Sequence, residues 1–227
     1  MVNVEQTGAK GEVRVEQPNR AERSVARRTA EARATIPDLE LSLEVDMEPV
    51  LALAGDRSGM VFALIVWSCA LALRDVPRAN GAYRDGQFEL YSRVNIGITV
   101  ATEDTYAIAT VFDADVKTPD ELNEMISSLS KRALADELAS PELSGATFTV
   151  LDGGALGLAS LDPLIVAPHA AAIAVGAVRQ VPVVKDGAIV PGHMMTLTLA
   201  SDHRILYGAQ AATFLSTIKS RLEEGSL

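Results

Sequence analysis

Residues 39–45 alternate apolar and polar side chains, the two-residue period of a strand with one buried face. Residues 60–73 are apolar on almost every side, which predicts a helix buried on most faces, ending at the charged pair Arg74-Asp75. Short apolar runs at 93–101, 108–112, 146–151, 171–178, 180–185 and 193–200 predict further strands. Residues 82–90, interrupted by Arg84-Asp85-Gly86, predict a hairpin or a turn, and Lys185-Asp186-Gly187 marks a second tight turn. Three more helices are predicted. The first covers 21–33, with Val25 and Thr29 on one side and arginines largely on the other, and Thr35-Ile36-Pro37 stops it. The second runs over 119–138, where Pro119-Asp120-Glu121 suits the positive end of the helix dipole. The third, over 209–222, closes the chain. Strands and long helices without a strict β-α-β repeat predict an α/β two-layer sandwich with a mixed sheet.

Composition narrows the class. With 48% hydrophobic residues, a mean hydropathy of +0.17 and 227 residues, the chain can bury a sizeable core in one domain. Residues 1–19 are polar and aperiodic, which predicts a disordered leader and a folded unit over 20–227. A net charge of −10 opposes nucleic-acid binding, which depends on clustered Lys and Arg. The early arginines, Arg14 to Arg33, are interspersed with Glu22 and Glu31 and read as a solvated helix face. No stretch is long and apolar enough for a membrane span, and no signal-peptide pattern opens the chain, so the expected location is cytoplasmic. Cys69 lies inside the apolar helix and reads as core. His169, His193 and His203 lack metal-ligand spacing, so no metal site is expected, and His169 and His193 read as surface or loop residues. Asp152-Gly153-Gly154-Ala155-Leu156-Gly157 lacks the ending of a phosphate loop and reads as a loop where backbone and ligand approach closely.

The chemistry concentrates in Ser201-Asp202-His203-Arg204-Ile205-Leu206-Tyr207-Gly208, between a predicted strand and the last helix. A histidine at such a junction is held at a fixed element end, where a general base is useful. The octet resembles the Asp-His-Arg-x-x-Asp-Gly signature of the dihydrolipoamide acyltransferase catalytic domain, the core subunit of 2-oxoacid dehydrogenase complexes, similar in fold to chloramphenicol acetyltransferase. Further segments resemble that family in its order: Arg23-Ser-Val-Ala-Arg-Arg28, Thr35-Ile-Pro37, Glu44-Val-Asp-Met47, Ala70-Leu-Ala-Leu-Arg74, Val94-Asn-Ile-Gly97, Asp113-Ala-Asp115, Gly145-Ala-Thr-Phe-Thr149 and Ala174-Val-Gly-Ala177.

The resemblance implies the CoA-dependent acyltransferase fold and a homotrimer with active-site channels between neighbouring subunits. It implies an acyl-CoA such as acetyl-CoA as co-substrate, with no tightly bound cofactor. His203 matches the family's general base, which takes a proton from the attacking thiol or alcohol. The family's oxyanion hydroxyl matches Leu151, which has no donor; Thr149 on the same side of the strand, Tyr207 or a water are the candidates to replace it. Tyr207 stands where Asp is usual, Thr105-Tyr106 where Gly-Leu is usual, and Phe62-Ala63 where Asn-Asp is usual. His203, Tyr207 and Thr149 are therefore the candidate catalytic residues, and Leu151, Asp152, Tyr106 and Phe62 the candidate substrate-binding ones.

Three activities fit these residues. The preferred one is a stand-alone O-acyltransferase for a small-molecule alcohol, resembling the lipoyl-free tetronate acetyltransferases of polyketide antibiotic pathways, with neither a lipoyl nor a subunit-binding domain expected within residues 1–227. The others are a complex core subunit served by a separate lipoyl protein, and a non-catalytic trimeric scaffold.

Overall fold

The computed structural model describes residues 11, 13–102 and 106–225, so the expected leader falls largely outside the described residues. A seven-stranded mixed sheet is built from β1 (Asp38–Asp46), β4 (Ile96–Ala101), β5 (Tyr106–Val111), β6 (Phe148–Asp152), β7 (Ala171–Val175), β8 (Arg179–Lys185) and β9 (Ala188–Asp202). Its order is β1-β9-β7-β6-β4-β5, with β8 paired to β9 alone, while β2 (Gly81–Arg84) and β3 (Gln87–Leu90) form a separate hairpin. The β4–β6 and β6–β7 pairings are parallel and the others antiparallel. The helices are α1 (Arg20–Thr35), α2 (Glu48–Ala54), α3 (Met60–Asp75), α4 (Pro119–Leu134) and α5 (Gly208–Glu224).

Period-two alternation decides which face meets which helix. Leu197 and Leu199 of β9, Phe148 and Val150 of β6, and Ile173 and Val175 of β7 point into one core with α2, α3, α4 and α5. Phe148 meets Phe214 of α5 edge-on at 5.6 Å, an arrangement aromatic rings favour. Cys69 is buried in this core, and burial pushes its thiol up to about 12, as expected of a packing residue. The opposite face carries smaller residues, and α1 docks there through Ala32 beside Ile36, Ile165 and Ala200. Phe62, a candidate substrate contact, sits in the first turn of α3 and packs half-buried against the main core.

Both predicted turns form, with Asp85-Gly86 and Asp186-Gly187 at positive φ (51° and 79°, 53° and 79°), as a two-residue hairpin turn requires. Two features depart from the expectations. The last strand was expected over 193–200 but runs fifteen residues from Ala188 to Asp202. Pro191, inside this longer strand, faces Pro182 across the β8–β9 register, so the two residues that lack an N–H oppose each other and β8 remains an outer strand. The helix expected to reach Leu138 stops at Leu134, and Asp136 turns the chain away in the left-handed conformation (φ 56°).

Candidate active site

The β9–α5 junction is held by a local ion pair. Asp202 is buried, and its carboxylate accepts the Arg204 main-chain N–H at 3.0 Å and the Arg204 guanidinium Nη2 at 2.7 Å. Its own N–H donates to the carbonyl of Ala170, the residue just before β7, at 2.8 Å. Removing Arg204, itself partly exposed, would leave the buried Asp202 carboxylate uncompensated and weaken the junction. The Arg204 guanidinium also stacks 4.7 Å over the Tyr83 ring of the hairpin, tying the junction to β2.

His203 follows Asp202, with its main chain fixed by donation to Pro37 at 3.0 Å and its ring exposed. Its Nε2 accepts the Gly208 N–H, an unpaired donor of the first turn of α5, at 3.3 Å. That bond places the lone pair on Nε2, and it is long enough to be exchanged for a substrate proton. A Cβ on residue 208 would stand 3.9 Å from Nε2 and 3.3 Å from Leu39 Cδ2, so glycine keeps the space before the base open. Tyr207 is 45% exposed and stands edge-on to His203, ring centres 5.7 Å apart. The Arg78 guanidinium lies 5.8 Å from the Tyr207 ring centre.

The other candidates are elsewhere. Leu151 pairs with Ala174 and Ala174 with Thr198, so Leu151 lies two strands from β9 and level with a residue well before its end. At about 3.3 Å per residue, His203 is roughly 17 Å further along β9 and about 10 Å across the sheet. Asp152 follows Leu151, and its Oδ1 accepts the Ala155 N–H at 3.0 Å, capping the glycine-rich loop. The loop is a close-approach feature: a Cβ on Gly176 beside it would meet the Ala159 carbonyl oxygen at 2.1 Å. Tyr106, 41% exposed, starts β5 at this same end, and its predicted neighbour Thr105 lies outside the described residues. One chain thus carries His203 and Tyr207 at one end of the sheet and Leu151, Asp152 and Tyr106 at the other.

Thr149 belongs to neither cluster. It is fully buried, with Oγ1 at 3.2 Å from His169 Nδ1. His169 Nε2 lies 2.8 Å from the Ala146 carbonyl, which can only accept, so Nε2 carries the proton and Nδ1 accepts from Thr149. The Thr149 proton is committed there rather than offered to a substrate. His169 itself, expected as a surface or loop residue, is buried beneath this pair, and desolvation pushes its pKa down from 6.5 to about 4. Nothing in the local sequence signals that burial.

A stability effect follows with a defined sign. Unfolding lets His169 take up a proton below its ordinary pKa, whereas the folded protein excludes it until about pH 4. Stability from this residue is complete above about pH 6.5 and lost as pH falls toward 4, by about 3 kcal/mol in all. Urea unfolding across that range is expected to show the stability gap between the native protein and His169→Gln closing by that order as pH falls. A gap independent of pH would contradict the assignment.

The chain belongs to the family of 2-oxoacid dehydrogenase acyltransferases (catalytic domain), whose pattern matches residues 10–227. The mitochondrial dihydrolipoyllysine-residue succinyltransferase component of the 2-oxoglutarate dehydrogenase complex of Saccharomyces cerevisiae is 31% identical over 217 residues, 91% of this chain and 47% of that protein. The chain spans about half the length of the curated relatives it matches. A probable dihydrolipoamide acetyltransferase from Listeria monocytogenes superposes with a TM-score of 0.89 at 28% identity, over 93% of this chain and 95% of that one. The dihydrolipoamide acetyltransferase of Azotobacter vinelandii superposes with a TM-score of 0.88 at 25% identity, over 95% and 94% of the two chains. In that enzyme a serine, a histidine and an asparagine have been investigated for their roles in the catalytic mechanism. Their spacing equals that of Leu151, His203 and Tyr207. A chloramphenicol acetyltransferase shares the fold, with a TM-score of 0.54 at 11% identity.

Proposed function

We propose that this domain transfers an acyl group between coenzyme A and a dihydrolipoyl thiol, with His203 as general base. The observation that carries this reading is His203 itself: an exposed imidazole with its Nε2 lone pair free to exchange partners, on a rigid junction, spaced from Leu151 and Tyr207 as the histidine investigated in the Azotobacter enzyme is from its serine and asparagine. Nε2 takes the proton of the attacking thiol as sulfur bonds to the thioester carbonyl carbon. The C–S bond to the departing thiol then breaks, and the proton passes from Nε2 to that sulfur.

The separation of His203 from Leu151 supports a homotrimer in which one subunit's β9–α5 junction faces its neighbour's β6 end across a channel. Leu151 offers no hydrogen to the tetrahedral oxyanion, so the donor comes from another group, and the exposed Tyr207 hydroxyl is the candidate beside His203. The names of the relatives favour a lipoyl thiol over the alcohol acceptor expected from the tetronate resemblance. Leu151 is the observation that keeps an alcohol acceptor as the second reading, because a channel that has lost its oxyanion hydroxyl is altered for a different substrate.

The test is an incubation with acetyl-CoA and succinyl-CoA, following CoA release with dihydrolipoamide and with small primary alcohols, on protein whose mass is measured by light scattering. Thiol-dependent release by three associated chains is the expected result. Release with alcohols alone would replace the thiol reading, and an active monomer would remove the shared channel.

A further inference from the structure

Arg78, Arg84 and Arg204 differ in how their charges are met. Arg84 pairs with Glu89 across the hairpin turn, and Arg204 pairs with Asp202. Arg78, on the short turn that follows α3, has no carboxylate partner among the described residues. Among the described residues its guanidinium makes one hydrogen bond, and a long one, Nη1 donating to the Ile205 carbonyl at 3.4 Å. Two aromatic rings hold the guanidinium in place, Phe88 at 4.7 Å and Tyr207 at 5.8 Å from Cζ to ring centre. Both rings are more than two-fifths exposed, so the slot opens to solvent.

Aromatic faces fix a cation without neutralising it. A half-buried guanidinium held this way has lost part of its hydration and still has donors to offer, and its planar fork suits a carboxylate. Position identifies which anion it meets. The Tyr207 ring lies 5.7 Å from the His203 ring and 5.8 Å from Arg78 Cζ, so Arg78 is within about 12 Å of the imidazole centre. That is within reach of the far end of a short acyl chain whose carbonyl sits at Nε2. It is shorter than the extended pantetheine arm that separates a CoA thiol from its phosphates.

Resting on the acyl-transfer reading above, we infer that Arg78 is a specificity-determining residue that selects acyl groups ending in a carboxylate, such as succinyl, over neutral ones such as acetyl. Relatives of both kinds match this chain, a succinyltransferase and acetyltransferases, so membership of the family leaves the choice open. The Arg78–Phe88–Tyr207 slot decides it here. A neutral acyl group leaves the guanidinium facing solvent, whereas a terminal carboxylate accepts its hydrogen bonds.

The experiment compares native protein with Arg78→Met and Arg78→Lys, all checked for the native melting temperature and assembly mass. Binding of acetyl-CoA and succinyl-CoA is measured by calorimetry, and transfer of both acyl groups to dihydrolipoamide by CoA release. The native protein is expected to prefer succinyl-CoA in both measurements. In Arg78→Met the succinyl-to-acetyl ratio falls about tenfold or more, and Arg78→Lys keeps part of the preference. An unchanged ratio in a folded Arg78→Met, equal losses with both thioesters, or a native preference for acetyl-CoA would each overturn the inference. If the native protein binds succinyl-CoA preferentially through Arg78 yet transfers neither acyl group, the specificity slot stands and the transfer reading falls.

Discussion

Replacing His203 by Ala is expected to reduce acyl transfer by about a hundredfold to ten-thousandfold while the melting temperature and assembly stay near native. The imidazole is exposed, makes one weak side-chain hydrogen bond, and packs against Tyr207 only by an edge contact, so its loss opens no core cavity. The junction is instead fixed by the Asp202–Arg204 pair and by main-chain bonds to Pro37 and Ala170, all of which survive the substitution. The loss belongs in kcat more than in KM, because proton transfer at Nε2 matters in the transition state and little in ground-state binding. Steady-state kinetics with acetyl-CoA or succinyl-CoA measure the split. Full activity in a folded His203→Ala protein would remove the histidine from the mechanism.

Much of the fold was legible in local pattern because local physics set it. The 39–45 alternation became β1, the apolar 60–73 run became α3, and Asp-Gly at two hairpin turns supplied the positive φ that such turns demand. What was hidden depended on partners far away in sequence. Pro191 lies inside β9 only because β8 sets Pro182 opposite it, and α2 begins at Glu48-Pro49 without any side-chain cap to announce it. The candidate site divides in the same way. The His203 octet was readable because a strand, a turn glycine and a helix follow one another in sequence. Alternation placed Thr149 and Leu151 on one side of β6, yet it could not tell that His169 would take up the Thr149 hydroxyl. Nor could it tell that Leu151 would lie at the opposite end of the sheet from His203, since an end is fixed by strand order and register rather than by period. Arg78 was missed for a related reason: its meaning lies in the rings of Phe88 and Tyr207, which only the tertiary fold brings to it.

Leu151→Ser is expected to raise transfer to dihydrolipoamide by about a hundredfold, the rate that one donor aimed at a developing oxyanion supplies. Its spacing to His203 equals that between the serine and the histidine investigated in the Azotobacter enzyme, and its backbone is paired with Ala174 of β7, so a hydroxyl placed there inherits a fixed direction. Leu151 is only partly buried and absent from the main core, which keeps the cost of the smaller side chain low. The same substitution separates the two acceptors. A thiol-transferring channel gains a donor at the transition state, so kcat rises with little change in KM. A channel adapted to an apolar alcohol instead loses contact area, so KM for the alcohol rises and kcat gains nothing. The double variant His203→Ala with Leu151→Ser completes the argument: the gain requires the oxyanion to form, so it shrinks when the base that drives the attack is gone, a coupling that independent effects at two distant positions would not show. A rate with dihydrolipoamide unmoved by Leu151→Ser in a folded trimer would mean that the oxyanion needs no donor beyond the Tyr207 hydroxyl, whose replacement by Phe then carries the loss.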